Sequence, residues 1–368
     1  MPVPAPAMRH PRACEECLRS SWLLRACSRY LDEQGSDAQR LVGLLELDGD
    51  ELITAAGASE NQDLRSRYES FQKQWIPNAP GVTALCRHDP GYPAVLAGLT
   101  GAPAVLYLAA PPERLKGMLT EPAVAITGSR KATNYGIEVA HGLARDLAGA
   151  GVTIIGGLGD GIAAAAHAGA LDAQGPTLTV MPGGVDICYP APRRALYEQM
   201  LEVGCVVSEL PCTTPVRDWC YTARSRLVAA LATLTVVVEC DDSYRAMMPA
   251  TLALAAGRDV GAVPGPITSP ESCGAHALLA DGAYLVRHAQ DVLDLLHGAG
   301  ARTACTSVPE LEGDLRKVLE RIGSGCDTIS KLSKDGTGHN DVLMALAELE
   351  VRGRIRRLHG GRYVASPT

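Results

Sequence analysis

The chain has one Phe among its 368 residues, and aromatic residues make up only 4% of it. A core of this composition has to be built from small aliphatic side chains, which suits helices packed tightly on a sheet. There is no excess of positive charge either: 34 Lys and Arg stand against 41 Asp and Glu, a formal net charge of −7. Contact with a polyanion must then come from a local basic patch, because the overall field does not attract one. No apolar run reaches the roughly 18 residues that suggest a membrane helix. The Pro-rich start, residues 1–13, lacks the apolar segment of a signal peptide. A cytoplasmic chain with a disordered N-terminal tail and no membrane contact is expected.

The usual marks of catalysis are also missing. There is no GxxxxGK[ST] phosphate loop, no nucleophile elbow, no Ser-His-Asp set in motif context and no metal cluster. No catalytic residue, cofactor or metal is therefore expected. His167 is the one candidate acid or base, but it lies among the alanines of residues 163–170, where a packed helix histidine is the plainer reading. Of the twelve cysteines, Cys188, Cys205 and Cys240 sit in or beside apolar runs and read as small buried hydrophobes of a reducing compartment. Cys14-Glu15-Glu16-Cys17 has the spacing of half a zinc site or a redox pair. No second CxxC or HxxxH follows nearby, and a structural site needs four ligands. The pair is expected to be two ordinary cysteines on the first helix.

What the chain does have is three regions of different periodicity. Residues 14–80 read as short helices, with Trp22, Leu23, Leu24, Cys27 and Leu31 at helical spacing. In residues 85–297 short apolar runs alternate with helical stretches. Val124–Thr127, Val152–Ile155, Thr177–Met181, Cys205–Ser208, Thr235–Glu239 and Val260–Val263 are the expected strands. Such alternation predicts a doubly wound parallel sheet whose ligands bind at the loops following the strands. A linker over residues 298–309 leads to residues 310–368, where three helical stretches and a hairpin signal at Gly360-Gly361 predict a winged helix. The expected fold class is α/β: an extended Rossmann-like sheet with an N-terminal small helical (SAM-like) domain and a C-terminal winged helix.

Four motifs in the sheet region carry possible chemistry. Gly128-Ser129-Arg130-Lys131 follows a strand. Gly128 permits a tight turn, Ser129 offers a hydroxyl and an N–H, and Arg130 can fork onto a phosphate. The helix beginning near Asn134 points its positive end the same way. The alternative is an ordinary strand-to-helix turn with solvated cations. Gly156-Gly157-Leu158-Gly159-Asp160-Gly161 also follows a strand, and the N–H groups of Gly157 and Gly161 can serve one phosphate, although Asp160 opposes it. Its spacing departs from the dinucleotide fingerprint. After Pro182-Gly183-Gly184 come Tyr189-Pro190 and then Arg193-Arg194, which suit either backbone phosphates or plain solvation. Tyr221, Arg224 and Arg226 open an otherwise apolar helix. Tyr221 offers a stacking face and the arginines phosphate contacts; the alternative is a buried helix whose cations snorkel outward. In the C-terminal region the hairpin carries Arg352, Arg354, Arg356, Arg357, His359 and Arg362, a basic strip in which Arg354, Arg356 and Arg357 are possible DNA contacts. Asp341, Glu348 and Glu350 argue against groove insertion by the preceding helix. Solvation of a small hairpin, or a protein-binding module, are the alternatives.

The ordered set Gly128-Ser129-Arg130, Tyr189-Pro190, Ser208-Glu209, Arg224-Ser225-Arg226 with the apolar run to Leu231, and Val263-Pro264-Gly265-Pro266 resembles the DNA-processing protein A (DprA, also called Smf) family. Cys14-Glu15-Glu16-Cys17 and Cys86-Arg87-His88-Asp89-Pro90-Gly91-Tyr92-Pro93 resemble actinobacterial members. The resemblance covers nearly the whole chain. It implies an extended Rossmann fold that binds single-stranded DNA through its phosphate-cradling loops, forms a homodimer, and helps load the recombinase RecA in natural transformation, with no catalytic activity. Three departures matter. The family's cation in the second loop is Asp160 here, its Arg-Asn-Arg is Arg224-Ser225-Arg226, and the loop after Glu239 reads Ser243-Tyr244-Arg245. Part of the anion pocket is rebuilt, as in a divergent member. The strongest rival class is a nucleotide-binding or nucleotide-hydrolysing Rossmann enzyme. Pro182-Gly183-Gly184 is present, but Val185-Asp186-Ile187-Cys188 follows where such hydrolases carry Gly-Thr-x-x-Glu. A third class is a protein-interaction module without nucleic acid.

Overall fold

The computed structural model describes residues 12–35, 37–57, 62–99, 101–241, 244–303, 313–333, 338–351, 354–358 and 361–365. The chain divides into two compact units, Met1–Cys305 and Thr306–Thr368.

The first unit is a mixed α/β structure around one nine-stranded sheet. Its strands are β1 (Thr83–Cys86), β2 (Val105–Leu108), β3 (Ala123–Thr127), β4 (Thr153–Gly156), β5 (Thr177–Val180), β6 (Cys205–Ser208), β7 (Leu234–Val237), β8 (Asp259–Ala262) and β9 (Tyr284–Leu285). They are ordered β1-β2-β6-β5-β4-β3-β7-β8-β9. From β6 to β9 all pairings are parallel, while β2 runs antiparallel to both β6 and β1. Strands β4 to β7 are buried along their whole length. A parallel sheet covered on both faces has no polar side to alternate with, which explains their continuous apolar runs. The six strands read from the sequence are β3 to β8; β1, β2 and β9 extend the sheet at its edges.

Strand β3 is the pivot. The chain leaves it toward β4, β5 and β6 on one side and later returns to its other side as β7, β8 and β9. The loops after β3 and β7 therefore diverge at the carboxyl edge of the sheet, the place where such folds open a ligand crevice.

The helix Trp219–Leu231 is the keystone of one face. Eleven of its residues are buried, including Arg226. Leu227, Val228 and Leu231 pack with Leu178, Val180 and Val207 of the sheet. Trp219, Cys220 and Ala223 share a core with Leu18, Trp22 and Leu41 of the N-terminal helices. A helix covered on both sides is buried nearly all round, so even Thr222, Ser225 and Arg226 lie inside. The helices Glu15–Ala26, Ser28–Glu33, Ala38–Glu46 and Gly49–Ala55 thus bury their apolar faces in this shared core. Trp22, Phe71 and Trp75 pack ring to ring there. Among the described residues, no helix is long and apolar enough to cross a membrane.

The second unit holds helices Gly313–Gly323, Ile329–Leu332 and His339–Val351, followed by the antiparallel pair β10 (Ile355–Leu358) and β11 (Arg362–Ala365). Leu315, Val318, Ile322, Leu332, Val342, Leu346, Leu349, Ile355 and Tyr363 form its own core.

Candidate nucleic-acid interface

The loops after β3 and β4 are bolted together. Ile162 N–H donates to Ser129 O at 3.1 Å. Gly161 has φ +73, and a Cβ there would lie 2.2 Å from Ser129 O. Only glycine allows this approach. At Gly157 a Cβ would lie 2.7 Å from the Arg224 guanidinium, which rests on the loop backbone. The two glycines are buried. They set the contact between the loops and the arginine, instead of presenting themselves to a phosphate as the sequence suggested.

At this junction Arg130 and Arg224 lie near enough to feel each other's charge, and Lys131 follows Arg130 in the loop. Arg130 and Lys131 are exposed, and Arg224 is half-buried. Arg224 lies over the Tyr221 ring, its guanidinium carbon 5.3 Å from the centroid. Tyr221 hydrogen-bonds the Tyr189 hydroxyl at 2.8 Å, and the two rings meet edge to face. Burial pulls the Arg224 pKa below its ordinary value. The like charge of Arg130 adds to this, while Tyr221 and Tyr189 oppose it. Among the described residues, none of Arg130, Lys131 and Arg224 forms an ion pair. Desolvated like charges held close without a counter-charge are costly, and a bound anion relieves that cost.

Other predicted site residues fall elsewhere. Arg226 is not at the surface: it is 4% exposed and pairs with Glu209 at 2.6 Å, with Gly101 O accepting a further hydrogen bond. A phosphate cannot reach it, and its role is structural. Arg193 donates to Asp160 at 2.7 Å, so the acid that replaces the second loop's cation also occupies an arginine. Arg194 faces Glu198 at 3.8 Å on its own helix, a solvated pair of small energetic weight. The Ser129 N–H is not free; it donates to Glu239 O at 2.6 Å. The Ser129 hydroxyl accepts from Lys131 N–H at 3.0 Å.

The sequence also misassigned the helix Asn134–Gly149. Its N-terminus is already served by protein. Thr133 caps it by accepting from Gly136 N–H. The buried Glu239 carboxylate accepts from Thr133 N–H at 2.9 Å and from its hydroxyl at 2.6 Å. A Cβ on Gly136 would strike that carboxylate at 2.3 Å. Glu239 thus occupies the positive end of this helix. Sequence reasoning had no hint of this, because Thr133 and Glu239 stand 106 residues apart.

His167 is fully buried, with Nδ1 2.7 Å from Thr177 Oγ1. Burial lowers its pKa to about 4, so it is a neutral packed histidine. In the second unit, Arg356 and Arg357 are exposed on β10 and Arg354 is half-buried. Arg352, His359 and Gly360 lie outside the described residues, as does Ser243.

Comparison with known proteins fits this geometry. The model of the family described as DNA recombination-mediator protein A matches residues 83–297. A putative DNA processing protein DprA of Mycobacterium tuberculosis is 40% identical over 238 residues, 63% of this chain and 61% of that protein. The chain therefore spans a little under two thirds of the length of that relative. The DNA processing protein DprA of Bacillus subtilis is 30% identical over 237 residues, 61% of this chain and 77% of the relative. The crystal structure of DNA processing protein A from Streptococcus pneumoniae is similar with a TM-score of 0.60 and 26% identity, over 77% of this chain and 99% of that one. A structure concerned with the single-stranded DNA binding mode of DNA processing protein A from Helicobacter pylori is similar with a TM-score of 0.52 and 26% identity, over 58% of this chain and 95% of that one. The matched stretch holds the whole sheet, the stitched loops and the three cations without an ion pair among the described residues, and covers more than half of the chain: the chain belongs to the DNA recombination-mediator protein A family.

Proposed function

We propose that the chain is a single-stranded DNA-binding protein of DNA uptake and recombination, with no catalytic step of its own and no cofactor. The observation that carries the reading is the approach of Arg130 to Arg224, with Lys131 next to Arg130 in the loop and none of the three having a carboxylate partner among the described residues, at the carboxyl edge of the sheet. Strand phosphates suit these cations, and the Tyr221 and Tyr189 faces beside Arg224 suit stacked bases, a combination that binds single strands with little sequence preference. The single-stranded DNA binding described for the Helicobacter pylori structure supports the same ligand class here.

Family membership extends the reading to a cytoplasmic homodimer that protects incoming single strands and helps load RecA. The second unit, three helices and a hairpin, reads as a winged helix whose Arg354, Arg356 and Arg357 add backbone contacts. A nucleotide-hydrolysing role has less support. His167 is sealed in the core, and Pro182, Gly183 and Gly184 are all buried.

The test is a gel-shift titration of the full chain with a single-stranded oligonucleotide. Binding should be tight at low salt and fall steeply as salt rises. No binding at low salt would refute the reading. Release of base from nucleoside monophosphates, lost on Arg130→Ala, would favour the enzymatic one.

A further inference from the structure

The fold changes the meaning of Cys14 and Cys17. Alone they are half of a metal site, and the chain offers no second CxxC. The missing half comes from the end of β1 instead. Cys86 is the last residue of that strand and His88 lies in the turn after it. The four donor atoms, three thiol sulfurs and the His88 imidazole nitrogen, all lie within 4.8 Å of one another. His88 Nδ1 is 3.4 Å from Cys14 Sγ and 3.5 Å from Cys17 Sγ.

We propose that Cys14, Cys17, Cys86 and His88 bind one zinc ion in a closed tetrahedral site. With Zn–S near 2.3 Å and Zn–N near 2.0–2.1 Å, a tetrahedron puts sulfur and nitrogen about 3.6 Å apart and two sulfurs about 3.8 Å apart. The two sulfur–nitrogen distances already lie close to that edge length. Three soft thiolates and one imidazole are a donor set that selects zinc over the oxygen-loving cations. With four protein ligands there is no open position, so the ion is structural and not catalytic.

Burial opposes ionisation of the Cys17 thiol in the metal-free chain, and the helix end acts in the other direction. Cys14 caps the helix Glu15–Ala26 and Cys17 lies in its first turn, at the positive end of the helix. Cys14 N–H donates to Cys86 Sγ at 3.5 Å. The Arg87 side chain lies beside Cys17 and favours its thiolate. Zinc with three thiolates and a neutral imidazole carries one net negative charge, and the Arg87 guanidinium offsets it. The ion joins Cys14 to Cys86, 72 residues apart in sequence, and so clamps the first helix to the edge of the sheet. Closing so long a loop restricts the unfolded chain, and the binding energy becomes folding energy.

The full chain, purified under reducing conditions from zinc-supplemented cells, should contain one zinc per chain by plasma mass spectrometry. Cobalt in its place should give the ligand-field bands of a tetrahedral site and a thiolate-to-cobalt charge-transfer band. His88→Ala and Cys14→Ser alter the more solvent-accessible side of the cluster. Each should weaken zinc roughly tenfold or more in competition with a chromophoric chelator, with the far-ultraviolet circular dichroism retained. Should Cys14→Ser misfold, the cobalt spectrum of the unaltered chain decides. A reduced chain that takes up neither metal, a cobalt complex without the charge-transfer band, or variants that keep the original zinc affinity would each overturn the proposal.

Discussion

Six cations were legible in the sequence as possible phosphate contacts of the sheet region, and the fold sorts them into two groups of three. Arg130 and Lys131 in the loop after β3, and Arg224 against the loop after β4, have no carboxylate partner among the described residues. Arg193, Arg194 and Arg226 each face an acid: Asp160, Glu198 and Glu209. The residue types hardly differ. What separates the groups is where the nearest carboxylate falls, and that is a property of the tertiary structure. An unpaired cation is available to a polyanion; a paired one must first give up its partner.

The sharpest test of this division is the buried pair. Arg226→Ala leaves Glu209 charged and unpaired in the core, which costs about 3–5 kcal/mol. Urea unfolding should show the loss. The double change Arg226→Met with Glu209→Leu removes both charges and should recover most of it. A single variant that keeps full stability, or that loses DNA binding while staying folded, would place Arg226 in the wrong group.

Next in size comes the open group. Changing Arg130, Lys131 and Arg224 together to Ala should weaken single-strand binding by a factor on the order of 100 at low salt, with stability little changed, because each charge-assisted phosphate contact contributes about 1.5–3 kcal/mol and partial compensation is usual. Asp160→Asn should act in the opposite direction. It frees Arg193 and removes a negative charge beside the loops, so binding should tighten roughly three- to tenfold by fluorescence anisotropy, about 1 kcal/mol of relieved electrostatics. Weaker binding would mean that Asp160 serves chiefly to position Arg193. Smallest of all, Arg194→Ala should change binding less than about twofold, as expected for an exposed, solvated ion pair.

How much of this the sequence disclosed follows from the range of the interactions. The strands β3 to β8 were legible because a buried parallel strand announces itself within four or five residues. Strand β9 adds only a two-residue pairing at the edge, and β1 and β2 lie outside the strand–helix alternation, joined antiparallel to the rest, although the Val-Leu-Tyr-Leu run of β2 is as apolar and buried as the others. The first loop was legible as a motif. Its electrostatics were not, because Glu239 reaches the Ser129 and Thr133 backbone from the loop after β7, and no local pattern connects residues more than 100 positions apart. The same reason hid the pairing of Arg226 with Glu209, and the company that Cys86 and His88 keep with Cys14 and Cys17. Asp160 was visible as an acid in the wrong place, and the structure supplies its partner.

In the proposed binding mode a small set of cations without carboxylate partners among the described residues, and not the overall charge, holds the strand. The slope of log affinity against log salt measures it most directly, since each neutralised phosphate on a single strand contributes about 0.7 to that slope. The triple change of Arg130, Lys131 and Arg224 should flatten the slope by about 2, while the Arg226→Met, Glu209→Leu pair should leave it unchanged. An unchanged slope in the triple variant would contradict this binding mode.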